Sequence, residues 1–178
     1  MIGRTVMAYD QHTQSAKSIV ARCAVITLSD TRTEQTDTSG QRIRELLEAE
    51  HHSIARYAVI PDDPTRLTSL LDELLGAVEA GAAIDAIITN GGTGISRRDD
   101  TISVVESRLT LPLPGFGELF RMLSFEQIGS GAMLSRAVGG VAGRKLLFAL
   151  PGSTKAVELA MTRLILPELR HLLSELRR

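Results

Sequence analysis

Hydrophobic and polar positions along the chain follow two alternating patterns, and each change of pattern marks a new predicted element. A mostly apolar run over residues 21–29, rich in β-formers and ending in Ser-Asp, predicts a strand. After a polar loop over 30–38, apolar residues at helical spacing predict a helix from Ser39. The pair Asp63-Pro64 predicts another helix start, because aspartate caps helices and proline is tolerated in the first turn, and this helix is predicted to extend to Ala80.

The same alternation predicts the remaining elements. Further strands are predicted over 54–60, 86–89, 137–141 and 145–150, and further helices over 101–108, over 118–125 and after Ser153. Pro167 interrupts the last helical segment and predicts a kink or a new helix start. Strands that alternate regularly with helices are typical of an α/β sandwich with a mostly parallel sheet.

Three predicted strands end in small or polar residues. They lead into Ser29-Asp30, into the loop Asn90–Gly94 and into Pro151–Ser153. Ligands of such sheets bind beyond the carboxyl ends of the strands. The sequence therefore predicts that these three ends converge on one ligand crevice.

Composition narrows the function classes. At 178 residues, with 43% apolar residues, the chain has the size of one domain and enough material for a full core. A net charge of −1 and an aromatic content of 3% argue against a nucleic-acid partner, which requires concentrated positive charge or stacking side chains. No apolar run in the sequence reaches the roughly 18 residues of a membrane helix, so we expect no membrane span and a soluble, cytoplasmic protein.

Residues 1–20 are polar and lack periodicity, which predicts a mobile N-terminal arm ahead of a single domain over 21–178. An arm that docks on a partner subunit would show the same pattern. Cys23 is the only cysteine and lies in an apolar run, so we expect a buried, unreactive thiol. His51 and His52 have no suitably spaced metal partner and are assigned no role.

The loop Asn90–Gly94 contains the most informative chemistry. Its three glycines allow positive φ and a close approach of backbone N–H groups to a ligand, an arrangement that suits phosphate oxygens. A tight strand-to-helix turn without a ligand is the alternative. The sequence contains no phosphate-binding loop of the GxxxxGK[ST] type, and Arg97 occupies the third small position of a dinucleotide-binding fingerprint, so neither of those classes fits.

Charged residues follow this loop directly. Arg97 and Arg98 are suited to neutralise phosphate charge, and Asp99 to hold Mg²⁺ between phosphate oxygens, although a solvated charge run would have the same composition. Asp63 is explained as a helix cap, which leaves Asp62 as a second metal-ligand candidate at a strand end. Ser153 follows the last strand, where a helix N-terminus favours an anion and a plain helix cap explains the residue equally well.

Four further motifs follow one another along the chain: Thr89–Thr101 (TNGGTGISRRDDT), Pro114–Arg121 (PGFGELFR), Leu134–Ala137 (LSRA) and Leu150–Ala156 (LPGSTKA). In this order they resemble the signatures of one known family, the molybdopterin adenylyltransferases and their close relatives. The similarity spans residues 21–169. Within that family, the segment Gly117–Gly129 (GELFRMLSFEQIG) is most similar to the molybdenum cofactor biosynthesis protein B branch.

The resemblance implies a three-layer α/β/α sandwich that assembles into homotrimers or homohexamers. It also implies the Mg²⁺-dependent reaction of molybdopterin with ATP to adenylylated molybdopterin and pyrophosphate. In this chain the family's catalytic, metal-binding aspartates match Asp62 and Asp99. Together with Arg97 and Arg98, the substrate-binding residues would be Ser29, Asp30, Thr89, Asn90, Gly91, Gly92, Thr93, Gly94, Ser124, Ser135, Pro151, Gly152 and Ser153.

Two positions depart from the family pattern: Asn90 stands where the adenylyltransferases commonly have glycine, and Asp100 where an apolar residue is frequent. Two other functions are open at this point. One is a non-catalytic protein of the same pathway that binds molybdopterin or acts as a scaffold. The other is a fold relative with an unrelated anionic ligand.

The segment Gly115–Gly129 concentrates large apolar side chains. They are Phe116, Leu119, Phe120, Met122, Leu123 and Phe125. This is more apolar bulk than one face of a short helix can bury, so we expect a neighbouring subunit to cover part of it. The alternative is that all six pack inside one protomer.

Overall fold

The computed structural model describes residues 18–76, 83–96 and 100–178. The predicted arm lies outside the described residues as far as Lys17, as do the predicted helix end at Ala80 and the run Arg97–Asp99. Of the last residues assigned to the arm, Ile19 is half-buried and packs against the core.

Six strands and six α-helices make up the described part of the chain. The strands are β1 (Arg22–Leu28), β2 (Ser53–Ile60), β3 (Ala86–Asn90), β4 (Leu111–Pro112), β5 (Val138–Ala142) and β6 (Lys145–Leu150). The α-helices are α1 (Thr38–Ala49), α2 (Pro64–Gly76), α3 (Thr101–Glu106), α4 (Pro114–Ile128), α5 (Thr154–Ala160) and α6 (Leu166–Leu176). A 3₁₀ helix over Gly129–Leu134 follows α4, and a π-helical turn over Met161–Ile165 joins α5 to α6.

The strands form one mixed sheet in the order β2-β1-β3-β6-β5-β4. The first four strands in this order are parallel to one another, whereas β5 and β4 continue the sheet in antiparallel fashion. Helices pack on both faces, so the predicted three-layer α/β/α sandwich with a mostly parallel sheet is confirmed.

Successive side chains of β1 point to opposite faces of the sheet and enter two separate apolar clusters. Cys23 and Val25 belong to the cluster that contains residues of α1, α4, α5 and α6. Ala24 and Ile26 belong to the cluster that contains residues of α2 and α3. Burial on both faces explains why β1 is mostly apolar from Cys23 to Leu28 rather than alternating between apolar and polar residues. It also confirms the buried thiol of Cys23, whose pKa burial raises to about 12.

Side-chain caps and prolines set the helix starts as the sequence predicts. The Asp63 carboxylate accepts hydrogen bonds from the N–H groups of Thr65 and Arg66 at 2.7 and 3.2 Å, and its acceptance of these bonds lowers its pKa. Pro167 lies in the first turn of α6, just after the π-helical turn, so the predicted interruption is a new helix start.

Two parts of the fold differ from the prediction. Helix α4 begins at Pro114, earlier than the predicted start at Glu118, because its apolar residues share no single face and gave only a short pattern. Strand β4 was not predicted, since two residues carry no period; it pairs with Val141 and Gly140 at the sheet edge. No helix in the described ranges combines the length and apolar character that a bilayer crossing requires.

Candidate functional site

The carboxyl ends of the four parallel strands meet at one edge of the sheet, as the sequence predicted for three of them. Backbone hydrogen bonds join the residues just past the strands: Ser29 N–H donates to Ile60 O at 2.9 Å, and Gly91 N–H to Leu150 O at 3.0 Å. The N–H of Asp62 donates to the Asp30 carboxylate at 3.1 Å. We call the groove that these ends border the strand-end crevice.

Two glycines of the loop after β3 have backbone angles that disfavour other residues. Gly91 has φ of 96° and Gly92 has φ of 61°. A Cβ on Gly91 would collide with the carbonyl oxygen of Leu28 at the end of β1. On Gly92 it would collide with the Asp62 carboxylate and the Thr101 hydroxyl. The loop therefore needs glycine at both positions for close packing as well as for conformation.

Asp62 is the predicted catalytic aspartate that lies within the described residues. Its side chain is half-buried, and its Oδ1 lies against Gly92. Asp99, its predicted partner, and Arg97 and Arg98 lie outside the described residues.

A buried hydroxyl lies beside this carboxylate. Thr101 is 2% exposed, and its Oγ1 has no hydrogen-bond partner in the part of the chain that the structure describes. Thr101 Oγ1 and Asp62 Oδ1 both face the position that a Cβ of Gly92 would occupy. An unpartnered buried hydroxyl is unfavourable in a folded protein, and oxygen atoms are the ligands that Mg²⁺ prefers. These two oxygens could therefore form part of the ligand set of a divalent cation, although the described residues contain no cluster of three acidic, histidine or cysteine side chains.

A second polar centre surrounds Asp37, which the sequence did not single out. The carboxylate is fully buried. It accepts hydrogen bonds from the hydroxyls of Thr27 at 2.5 Å, Tyr57 at 2.8 Å and Ser39 at 3.0 Å, and from the Gly40 N–H at 3.0 Å. We call this group the Asp37 cluster. It joins β1, β2 and the start of α1.

The hydrogen bonds decide the ionisation of this carboxylate. Burial raises the pKa of Asp37, but the four hydrogen bonds that it accepts outweigh burial, so its pKa lies below the ordinary value. Burial and then the hydrogen bond to the carboxylate raise the pKa of Tyr57, which stays a protonated donor. Asp37 is therefore a buried anion whose charge is balanced by oriented donors.

Arg32 extends the Asp37 cluster across the strand-end crevice. Its Nη1 donates to Ser39 Oγ at 2.5 Å and to the carbonyl oxygen of Gly152 at 3.1 Å, and lies 3.5 Å from Asp37 Oδ1. The guanidinium thus links the loop after β1 to the turn after β6.

The side chain of Asn90, a predicted substrate contact, is fully buried in the same network. Its Nδ2 donates to Thr27 Oγ1 at 2.8 Å, and its Oδ1 lies 2.8 Å from the Ser39 hydroxyl. The asparagine that departs from the family glycine therefore joins the end of β3 to the Asp37 cluster, and its side chain is already engaged there.

Several other predicted contacts lie at the crevice. Ser29 Oγ accepts from the N–H groups of Thr31 and Arg32 at 3.3 and 3.2 Å and so shapes the first loop. Ser135 is half-buried and is followed by Arg136, whose Nη1 donates to Gly94 O at 2.8 Å. Pro151 and Gly152 follow β6, and a Cβ on Gly152 would lie 3.1 Å from Gly91 Cα.

Other predicted residues have structural partners or lie elsewhere. Thr89 is buried in β3, where its hydroxyl donates to Phe148 O at 3.3 Å, and Thr93 is buried in the loop. Ser124 is buried on the inward face of α4, and Ser153 caps α5 by accepting from Ala156 N–H at 3.2 Å. Asp100 is exposed and occupies the N-cap position of α3, but its side chain makes no capping hydrogen bond.

Sequence signals for the missed residues exist in retrospect. Asp37 precedes Thr38-Ser39-Gly40 at a helix start, which is the pattern of an aspartate cap. Thr27 is the one hydroxyl inside the apolar run of β1, so it needed a buried partner. No comparable local signal marks Arg32, whose partners lie as far away as Gly152.

Comparison with known proteins gives consistent matches. Residues 24–171 match the family model described as a probable molybdopterin binding domain. A molybdenum cofactor biosynthesis protein B from Bacillus cereus is 49% identical over 176 residues, 97% of this chain and 99% of that protein.

Solved structures extend the similarity to three dimensions. A crystal structure of a molybdenum cofactor biosynthesis protein B has a TM-score of 0.83 and 49% identity, covering 90% of this chain and 98% of that one. The tungsten cofactor synthesizing protein MoaB from Pyrococcus furiosus has a TM-score of 0.77 and 33% identity, covering 89% and 98%.

Proposed function

The chain belongs to the molybdenum cofactor biosynthesis protein B family, and from this premise we propose that it binds molybdopterin and adenylylates it with Mg²⁺-ATP, releasing pyrophosphate. One observation supports this reaction above others. At the strand-end crevice, Asp62 and the unpartnered hydroxyl of Thr101 face the same point of a glycine loop with positive φ. Oxygen ligands for a cation thus lie beside backbone suited to phosphate.

The proposed reaction is the transfer of one adenylyl group from ATP to the pterin phosphate. A phosphate oxygen of the pterin forms a bond to the α-phosphorus of ATP. The bond from that phosphorus to the oxygen bridging to the β-phosphate breaks, and pyrophosphate leaves with the electron pair. Catalysis of such a transfer consists mostly of positioning and charge stabilisation, which the chain must supply through fixed groups.

The residues of the chain have separate tasks in this proposal. Asp62 holds the cation, together with Asp99 as the sequence predicts, and the loop after β3 presents N–H groups to phosphate oxygens. When bound, Mg²⁺ supplies positive charge that offsets the phosphate oxygens of both substrates. Arg136 fixes the position of the loop by donating to Gly94 O.

The decisive experiment mixes the protein with molybdopterin and Mg²⁺-ATP and measures adenylylated pterin and pyrophosphate, which should appear in equal amounts. Asp62→Asn and Asp99→Asn should each reduce the rate about 10²-fold or more while leaving pterin binding intact, because a neutral amide holds a divalent cation poorly. Asp72→Asn is the matched control, since Asp72 lies on α2 and pairs with Arg108. Normal turnover of Asp62→Asn at limiting Mg²⁺ would contradict its role.

A second function is distinguished by the same assay. The relatives are named for the biosynthetic pathway rather than for a transfer reaction, which is compatible with a protein that holds the pterin without converting it. Tight molybdopterin binding without pyrophosphate release would favour that function.

A further inference from the structure

Arg32 is held on one side only. Its Nη1 contacts Ser39, Asp37 and Gly152, whereas its Nε and Nη2 have no hydrogen-bond partner among the residues that the structure describes. The side chain is 31% exposed, so these remaining donors reach solvent at the crevice. A guanidinium presents its Nε and Nη2 as a planar pair, which matches two oxygens of a phosphate group.

The chain fixes the orientation of this pair before any ligand binds. Asp37, which anchors Arg32, is itself buried and held by four other donors from Thr27, Ser39, Gly40 and Tyr57. A group held in this way loses little conformational freedom on binding, and less of its interaction energy is spent on ordering.

The carboxylates at the crevice disfavour an anionic ligand unless a positively charged group lies beside it. Asp30 and Asp62 follow β1 and β2, and the Asp62 N–H donates to the Asp30 carboxylate. Two carboxylates at one edge repel a phosphate at close range. Arg32 lies at the same edge, where it reaches from the loop after β1 to the turn after β6 and supplies positive charge.

We propose that Arg32 binds a phosphate group of the ligand through its Nε and Nη2, as a preorganised fork that the Asp37 cluster holds in place. The inference rests on the proposed function for the identity of the ligand. The phosphate is that of the pterin or one of those of ATP, and the experiment separates the two.

The first measurement needs no turnover. Isothermal titration of inorganic pyrophosphate compares the wild type with Arg32→Lys and Arg32→Gln. The glutamine variant should lose about 10- to 100-fold in affinity and the lysine variant about tenfold, because lysine keeps the charge but not the fork. Arg42→Gln is the matched control, since Arg42 is tied to Glu45 and Glu158 on the outer helices. It should bind pyrophosphate as the wild type does.

The second measurement identifies the source of the phosphate. ATP without Mg²⁺, an air-stable phosphorylated pterin and its dephosphorylated counterpart are titrated into the same variants. A loss confined to the phosphorylated pterin assigns Arg32 to the pterin phosphate, and a loss confined to ATP assigns it to the nucleotide. A similar loss with the dephosphorylated pterin would mean that Arg32 acts as a structural clamp, and would overturn the proposal.

Folding is controlled through the lysine variant, which can keep the bond to Gly152 O. If Arg32→Gln does not fold, the pyrophosphate affinity of Arg32→Lys decides, and a wild-type value overturns the proposal. A negative transfer assay with weakened pyrophosphate binding in the variants would refute the proposed reaction and leave the role of Arg32 standing. Normal transfer by the wild type, with unchanged pyrophosphate binding in the variants, would support the proposed reaction and overturn the role of Arg32.

Discussion

Two polar centres flank the glycine loop on opposite faces of the sheet, and they are built differently. The Asp37 cluster lies at the start of α1, and its carboxylate accepts four hydrogen bonds in addition to the contact with Arg32. On the other face, Thr101 begins α3 with a buried hydroxyl that has no partner among the described residues, next to the half-buried Asp62.

The difference separates a centre whose polar groups are all satisfied within the chain from one whose oxygens remain open to a ligand. A buried carboxylate with all its neighbours in place stabilises one arrangement of the strand ends. A buried hydroxyl without a partner lowers stability, and such exceptions in native proteins call for an explanation such as a ligand or ion. Substitution of Asp37 should therefore lower stability more than substitution of Asp62, whereas substitutions of Asp62 and Thr101 should act mainly on binding.

The largest effect on folding is expected from Asp37→Asn. The amide removes the buried charge and places N–H donors against groups that themselves donate, so the free energy of unfolding should fall by about 3 kcal/mol. Urea denaturation measures this directly. Asp62→Asn, matched in chemistry but at the binding centre, should lower it by clearly less than Asp37→Asn does. Equal losses in the two variants would remove the distinction between the centres.

A second prediction for Asp37→Asn concerns how the free energy of unfolding depends on pH. The pKa of Asp37 is lower in the folded protein than its ordinary value of 3.8, so the unfolded chain binds more protons at low pH. The stability contributed by this group is present above pH 3.8 and is lost as the pH falls through the folded-state pKa. The gap in unfolding free energy between the wild type and Asp37→Asn should therefore narrow as the pH is lowered below that value. A pH-independent gap would contradict the assignment.

The next largest effect is expected from Gly92→Ala. The positive φ alone destabilises alanine by about 1 kcal/mol, and the collision with Asp62 and Thr101 should add to this and weaken ligand binding. Gly143→Ala is the matched control: its φ is 62°, but a Cβ there meets nothing within 4 Å. Both are measured by thermal unfolding and pterin titration. Normal pterin binding by Gly92→Ala would show that the ligand does not lie on this loop.

A smaller effect of opposite sign is expected from Thr101→Val. Valine has nearly the same shape and removes an unpartnered buried hydroxyl, so stability should rise by about 1 kcal/mol. Affinity for Mn²⁺, used as a paramagnetic substitute for Mg²⁺, should fall about tenfold, and Thr101→Ser should restore it. Unchanged Mn²⁺ affinity in the valine variant would exclude the hydroxyl from the cation site.

The smallest effect on folding is expected at the surface of α4. Phe125 is 61% exposed, beside exposed Leu119, Met122 and Ile128, whereas Phe120 is buried in the core. We propose that a second and third copy of the chain cover this face. Phe125→Ser should leave unfolding of the subunit within about 0.5 kcal/mol of the wild type but weaken assembly.

Light scattering tests the assembly. The wild type should have about three or six times the subunit mass of 19.3 kDa. The mass of Phe125→Ser should shift towards that of the single subunit. Leu111→Ser is the control, because Leu111 is 60% exposed on β4 rather than on α4. A wild-type mass near 19.3 kDa would refute the prediction.

How far the sequence predicts the molecule depends on the distance between interacting residues. The cap of α2 by Asp63 involves neighbours two and three positions away, and it was predicted correctly. The apolar side chains of α4 divide between core and surface, because Phe120 faces the sheet and Phe125 does not. The sequence showed their excess but could not assign each to a face.

The sequence by itself determined the alternation of strands and helices, the glycines of the loop and the polar strand ends, because periodicity, backbone conformation and capping are local properties. Only the tertiary structure decided which polar groups share a centre. Arg32 meets Gly152 across 120 positions, and Asp37 meets Tyr57 across 20. Such contacts depend on the order of strands in the sheet, and the parallel sheet brings the ends of distant strands to one edge.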